Sequence, residues 1–298
     1  MSSKVLSLSR KIVLFFRRPK VEKTLKITIS IIKWVFFVFI IFLLYLPIFI
    51  IAVQSFNNSQ LMYDFTEFTF KWYGMIFQER ALRQAIMNSL LIASLATLIS
   101  TVLGTIFSIG IHSLTKKRRQ KMVLLNQVPI LNADIVTGIS LMLVFKVFMY
   151  IFPDIFGFTT MLLAHIFFCL PYVILSILPK LSELDDNLYD AALDLYCKPA
   201  TGILKVIIPA ISSGIFTGML MAFTMSIDDF VISYFNTGQG FDNVSIWIYA
   251  SIGRQMSPAV YAYNTAFSFL MIALLIVISV RSSLKKRKNL IRFSQNKI

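Results

Sequence analysis

An all-α, polytopic membrane protein with six transmembrane helices is what this sequence predicts, and three observations predict it. Of 298 residues, 57% are hydrophobic and only 14% charged, with a mean hydropathy of +0.76; soluble domains carry about a quarter charged residues. Six runs are long and apolar enough to cross a bilayer core, which takes about 20 mostly apolar residues as a helix. The positive charges alternate sides along the segments that join those runs.

The first run covers 34–56 and is aliphatic and aromatic until Gln54. The second covers 89–111, the third 123–151 with Pro129 inside it, and the fourth 158–178. The fifth covers 210–235 and the sixth 265–280. On one side of the membrane, residues 1–33, the 112–122 turn, residues 179–209 and the tail from Arg281 hold nine, five, three and seven Lys/Arg. On the other, residues 57–88, 152–157 and 236–264 hold three, none and one. Twenty-four against four places both termini in the cytoplasm of a cell-membrane protein. An odd number of spans would break the alternation.

Residues 1–33 are then a basic cytoplasmic segment, 34–280 the membrane domain and 281–298 a basic cytoplasmic tail. The start of the chain does not read as a cleavable signal, because the first apolar run is too long and no small-residue cleavage site follows it. Val5, Leu8, Ile12 and Phe15 recur at helical spacing among Arg10, Lys11, Arg17 and Arg18. That pattern fits a basic amphipathic helix on the inner leaflet, or a disordered positive tail that only sets topology. The net charge of +15 thus points to membrane lipid rather than to nucleic acid.

Several chemistries are excluded. Two cysteines, Cys169 and Cys197, and two histidines, His112 and His165, give no disulfide framework and no metal site. No nucleophile–base set appears, so no catalytic residues are assigned. No phosphate-binding G-x-x-x-x-G-K-[ST] loop is present, so any ATP chemistry belongs to another chain. No cofactor is expected.

One inner segment departs from the basic pattern. Residues 179–209 carry Glu183, Asp185, Asp186, Asp190 and Asp194 against Lys180, Lys198 and Lys205. Ser182 followed by Asp185 resembles a helix N-terminal box, and Leu184, Leu188, Ala191, Ala192 and Leu195 form an apolar stripe at helical spacing. Pro199 can open a second short helix that buries Ile203, Val206 and Ile207 before Pro209 interrupts it. The stripe needs a cover. An anionic leaflet repels the carboxylates, which leaves the chain's own bundle or a soluble partner.

Asp190-Ala191-Ala192, three residues, Tyr196, nine residues and Val206-Ile207-Ile208-Pro209 resemble the EAA signature of permease subunits of bacterial ABC importers. That signature reads Glu-Ala-Ala, three residues, Gly, nine residues, Ile, any residue, Leu-Pro. Tyr196 replaces a glycine that makes the sharp turn between two short helices. The replacement implies a left-handed tyrosine or a reshaped turn. Tyr45-Leu46-Pro47, Ser55-Phe56-Asn57, Lys71-Trp72-Tyr73, Asn88-Ser89-Leu90, Asp134-Ile135-Val136, Phe168-Cys169-Leu170-Pro171 and Ser226 to Val231 resemble the second permease subunit of spermidine/putrescine importers.

The resemblance implies a type I, MetI-like permease architecture. It implies that residues 182–209 form the coupling loop, with Asp190, Ala191, Ala192, Tyr196 and Pro209 engaging a homodimeric ATP-binding subunit. A second homologous permease and an extracytoplasmic polyamine-binding protein complete the implied assembly, and this chain is a transport subunit rather than an enzyme. Permeases for iron, thiamine or sulfate share much of this layout, and an ATPase-independent secondary transporter is the rival from another class. A membrane-embedded enzyme lacks a catalytic constellation here.

The residues offer a physical argument beside the resemblance. A carboxylate at the bilayer centre costs about 2.5–3.5 kcal/mol and usually faces a cavity or a partner. This chain places Asp134 near the middle of the third run and Asp228 and Asp229 in the fifth. Counted from Ala210, Asp228 lies about 27 Å along its helix, in the outer third, so the acids are expected at two depths. Carboxylates at stepped depths suit a chain of separated ammonium groups; interhelical hydrogen bonds or sister-subunit ion pairs are the other use. Neighbouring residues point about 100° apart, so Asp228 and Asp229 cannot both face one narrow path. Lys146 is expected to snorkel. His165 reads as a proton relay or as a hydrogen-bonded structural histidine, and Pro129 and Pro171 as kinks. Trp72, Tyr73 and Trp247 read as interface anchors or as part of a docking face.

Overall fold

A computed structural model describes residues 19–59, 65–185, 187–252, 258–273 and 276. The basic amphipathic stretch and the cytoplasmic tail lie outside them. The chain divides into two compact units, residues 1–73 with 257–298, and residues 74–256.

In the first unit, α1 (Pro19–Gln54) is a 36-residue helix. Its side chains from Ile27 to Val53 are exposed almost throughout and apolar on every face, as a helix surrounded by lipid must be. At its end the Ser55 hydroxyl meets the Tyr73 hydroxyl at 2.8 Å, and the Trp72 indole donates to the Asn57 carbonyl at 2.7 Å. Trp72 is buried, so it ties down the segment that follows α1 rather than standing out as an interface anchor. The last described helix of this unit is Ala259–Ala273.

The second unit holds α2 (Lys71–Gln78) from Gly74 on, then α3 (Arg80–His112), α4 (Lys116–Leu131), α5 (Asp134–Phe148) and α6 (Phe158–Ser182). Next come α7 (Asn187–Asp194), α8 (Pro199–Ala210), α9 (Ser212–Ile227), α10 (Val231–Asn236) and α11 (Val244–Ile252). Three helices are each long and apolar enough to cross a membrane: Ile27–Gln54 within α1, then α3 and α6. Two further helix pairs are apolar enough to cross only when taken together and are sharply bent, α4 with α5 at 99° and α8 with α9 at 72°, the geometry of a broken span or a re-entrant loop. The sixth run is represented by Ala259–Ala273, 15 residues long among the described residues, and six spans are compatible with this arrangement.

The core of the second unit is α3, α6 and α9, packed through small residues. Ala96, Ser100, Gly104 and Ser108 recur every fourth residue on α3, and Gly214, Gly218, Ala222 and Ser226 do so on α9. Such seams let helix backbones approach closely, which drives association where lipid tails are as apolar as leucine. Val173 of α6 sits between them. A Cβ on Gly104 would lie 2.6 Å from Val173 Cγ1, and one on Gly218 would lie 3.2 Å from Val173 Cα. Along this seam α6 and α9 run antiparallel: Ser176 bonds the Gly214 carbonyl, Cys169 the Ala222 carbonyl and His165 the Ser226 hydroxyl.

Gly104→Ala is expected to cost about 1–3 kcal/mol through overpacking. Gly110→Ala, where an added Cβ meets nothing within 4 Å, is expected to gain about 0.5–1 kcal/mol in helix stability. Thermal unfolding in detergent distinguishes them; equal shifts of the same sign would refute the seam.

Candidate functional site

The fifth run does not continue as one rod. α9 ends at Ile227, Asp228 and Phe230 leave the regular helix, and α10 starts at Val231. A break inside a bundle frees N–H and C=O groups that lipid cannot satisfy. Asp229 supplies the answer at the start of α10. Its carboxylate accepts the Ser233 N–H at 2.7 Å, the Ile232 N–H at 3.3 Å and the Ser233 hydroxyl at 3.0 Å. This is helix capping by an anion at the positive end of the helix.

His165 of α6 spans the break. Its Nδ1 lies 2.7 Å from Ser226 Oγ in the last turn of α9, and its Nε2 lies 2.8 Å from Ser233 Oγ in α10. The ring is buried. Asn243 donates to Ser233 Oγ at 2.8 Å and to the Asp229 carbonyl at 3.3 Å. One arrangement gives the carboxylate most donors: Ser233 donates to Asp229, His165 donates through Nε2 to Ser233, and Ser226 donates to Nδ1. A neutral imidazole fulfils this, and Asp229 Oδ2 stays 3.7 Å from Nε2. His165 is therefore a hydrogen-bonded structural histidine.

A second break faces the first. α4 ends two residues after Pro129, and α5 begins at Asp134. Asp134 is thus in the first turn of a new helix, not in the middle of a continuous one. The Asn236 amide of α10 donates to the Gly138 carbonyl of α5 at 3.2 Å and to the Ile232 carbonyl at 2.9 Å. Thr160 of α6 donates to the Asn236 carbonyl at 2.7 Å. These bonds hold α5 against α10, and Asp134 lies within Coulombic reach of Asp229 and Tyr172.

Asp134 thus opens α5 behind one break, Asp228 follows the last residue of α9 and Asp229 caps α10, and α5 and α10 pack side by side. The straight-helix reading fails at Asp134, because the third run is interrupted just before that residue. Asp134 and Asp228 are exposed, whereas the Asp229 side chain is buried and engaged. The two neighbouring acids do diverge, as their spacing requires.

The acidic segment forms a helical hairpin of α7 and α8. Ser182 is the last residue of α6 and bonds back to the Leu178 carbonyl at 3.1 Å. Asp185, not Ser182, opens α7, accepting the Asn187 N–H at 2.9 Å. Leu184, Leu188 and Tyr189 pack on the bundle core, while Asp190, Ala191, Leu195 and Tyr196 are exposed. Ala192 is half-buried. The apolar stripe is thus divided between the chain's own bundle and open surface.

Tyr196 turns the hairpin with φ of 56°, and it is the non-glycine residue with positive φ among the described residues. Pro199 begins α8 as expected. Pro209 does not end it. A proline there cannot donate to the Lys205 carbonyl, and the chain widens into a π turn over Ile203–Ile207 closed by the Ile208 N–H on the Ile203 carbonyl. The helix then continues to Ala210 and bends at Ile211. A cavity of about 360 Å³ lies under the hairpin, lined by Ile109, Ser113, Leu181, Leu184, Tyr189 and Ile207 among others.

Residues 124–285 match the family of binding-protein-dependent transport system inner membrane components. The chain is 32% identical over 246 residues to the spermidine/putrescine transport system permease protein PotC of Haemophilus influenzae, covering 83% of this chain and 93% of that one. It is 32% identical over 225 residues to the putrescine transport system permease protein PotI of Escherichia coli, covering 74% and 80%. A Mycoplasma genitalium homolog of PotC is 26% identical over 280 residues, 89% and 96%. Among solved structures, a bacterial ABC transporter involved in import of the acidic polysaccharide alginate superposes with a TM-score of 0.67 at 14% identity, over 89% of this chain and 99% of that one. At that identity the likeness concerns the fold. With a match over more than half its length and these relatives beside it, the chain belongs to the binding-protein-dependent transport system inner membrane components, multi-pass subunits that carry transport rather than catalysis.

Proposed function

We propose that this chain is a permease subunit of an ATP-driven importer for spermidine and putrescine. The observation that carries the reading is the similarity to polyamine permeases over 83% of the chain. The site chemistry agrees with it, since Asp134 and Asp228 present carboxylates at paired helix breaks while Asp229 is held inside. A polyamine is a flexible chain of ammonium groups, and open carboxylates offset its dehydration. Both termini and the acidic hairpin face the cytoplasm, in line with the positive charges. An external binding protein delivers the substrate, and a second, homologous permease closes the other wall of the path.

In this reading a homodimeric ATP-hydrolysing subunit grips the hairpin through Asp190, Ala191, Ala192 and Tyr196. Movement passes through α8 and the bend beyond Pro209 into α9. From Ser212 to Ile227 the 16 residues span about 24 Å, so one helix joins the hairpin to the break at Asp228. The cavity under the hairpin leaves room for it to shift against α3 and α6.

Uptake of labelled spermidine into proteoliposomes holding the whole importer tests the reading. Uptake should need ATP and fall with competing putrescine; uptake that survives ATP removal on an ion gradient would refute it. Asp134→Asn and Asp228→Asn are expected to lower uptake about tenfold or more through a raised KM, and unchanged KM and rate would remove them from the path. Asp229→Ala should act differently, costing about 1 kcal/mol of helix capping and lowering the unfolding temperature. His165→Ala leaves serine hydroxyls without their ring partner in a dry interior, at about 1–3 kcal/mol. It should lower the unfolding temperature and the maximal rate with little change in KM.

A further inference from the structure

At the end of α3 away from the hairpin, the second unit holds a notch of about 370 Å³. α3 lines it with Arg80, Gln84 and Asn88, the turn before α11 with Asp242, and α11 with Trp247. The Asn88 amide donates to the Asp242 carbonyl at 2.9 Å, and Ser89 Oγ accepts the Val244 N–H at 2.9 Å. Residues 242–244 are thereby fixed to the third turn of α3 by groups other than the Asp242 carboxylate. Among the described residues, the side chains of Gln84, Asp242 and Trp247 have no hydrogen-bond or ion-pair partner. Arg80 stands eight residues before Asn88, about 12 Å along the α3 axis, and makes no ion pair with Asp242 among the described residues.

The lining specifies its ligand. A carboxylate beside an indole suits an organic ammonium, because the acid supplies the counter-charge and the ring attracts a cation. A Ca²⁺ or Mg²⁺ ion needs about six oxygen ligands, and one carboxylate with one amide falls short of that. An anion would meet Asp242 at the floor with Arg80 two turns away. The floor also leads inward. Asn243, the next residue, is buried. Its amide donates to Ser233 Oγ and the Asp229 carbonyl, and its Oδ1 accepts the Ile246 N–H at 2.9 Å. The notch is thus joined through one backbone step to the clip across the break. We propose that this notch is a receiving subsite for one ammonium group of the polyamine, with Asp242 as counter-ion, Trp247 as aromatic wall and Gln84 as a further acceptor. The proposal rests on the importer reading and deepens it: the substrate is met at this end of α3 before it reaches Asp134 and Asp228.

Trp247 also supplies the probe. Spermidine added to the whole importer in nanodiscs, without its binding protein, should quench tryptophan emission, and Trp247→Phe should abolish that quench. Asp242→Asn keeps the backbone carbonyl that Asn88 holds, so the fold survives, and half-saturation should rise about tenfold. Arg80→Gln should leave half-saturation unchanged or lower it. A quench that Asp242→Asn does not weaken would overturn the subsite. So would equal weakening by Arg80→Gln, which marks a contact with an acidic partner, or displacement of spermidine by equimolar Mg²⁺, which marks an unselective cation surface. ATP-dependent uptake by the wild-type importer separates the two levels. Uptake that persists beside a negative quench result sinks the subsite alone, and absence of that uptake sinks the importer reading with it.

Discussion

A membrane helix broken in mid-course must find internal partners for every polar group the break exposes, because the surrounding hydrocarbon offers none. In this chain the Asp229 carboxylate takes the freed N–H groups of α10, Asn243 takes the Asp229 carbonyl, and one imidazole ties the two sides of the break together. His165 joins the last turn of α9 to α10 through Ser226 and Ser233, and Asp229 and Asn243 complete the set. Once the break is held in this form, the position of α10 follows. Asn236 can then reach the Gly138 carbonyl, which seats α5 and places Asp134 near Asp229. The burial of Asp229 also decides which acids remain open.

The long apolar helices were legible because hydrophobic length is a coarse signal that survives local irregularity. The breaks were not. Asp228-Asp229-Phe230 contains no proline or glycine, and a run of apolar residues on both sides hides the interruption. A signal was present in Asp229 followed by Ser233, an acid with a hydroxyl one turn on, but it has meaning only if a helix begins there. At the other break, Asn132-Ala133-Asp134 behind Pro129 carried the same message more openly. Reading the third run as a straight helix set Asp134 in the middle of a span, and the bend of 99° between α4 and α5 invalidates that placement. The small-residue rows on α3 and α9 were equally visible at four-residue spacing, yet they gain significance only once Val173 is seen between them.

The hairpin shows a different limit. Its two helices and the opening proline followed from the local pattern, while the resemblance left the turn open between a left-handed tyrosine and a reshaped backbone, and Tyr196 adopts the first. The allocation of its apolar stripe did not follow. Leu188 and Ala191 stand three apart and share one amphipathic face in sequence, but Leu188 turns to the bundle and Ala191 to the outside. A short helix lying across a larger body divides its face by the angle of approach, which periodicity does not contain. Trp72 illustrates the same point: an outer tryptophan reads as an interface anchor, yet the Asn57 carbonyl claims its indole N–H.

The two halves of the proposed mechanism are joined by packing that resists bending and tolerates sliding. α9 touches α6 through Gly214, Gly218, Ala222 and Ser226, a surface with few protruding side chains to interlock. A helix seated on such a seam can shift along its neighbour at less steric cost than one held by interdigitated leucines. Its lower end is set at Ile211, where the bend beyond Pro209 changes direction, and its upper end is set by His165 at Ser226. A shift that begins at the hairpin therefore reaches the imidazole before it reaches either exposed acid. Under the importer reading, the clip across the break is the element whose two hydrogen bonds decide whether α10 moves with α9 or stays with α5.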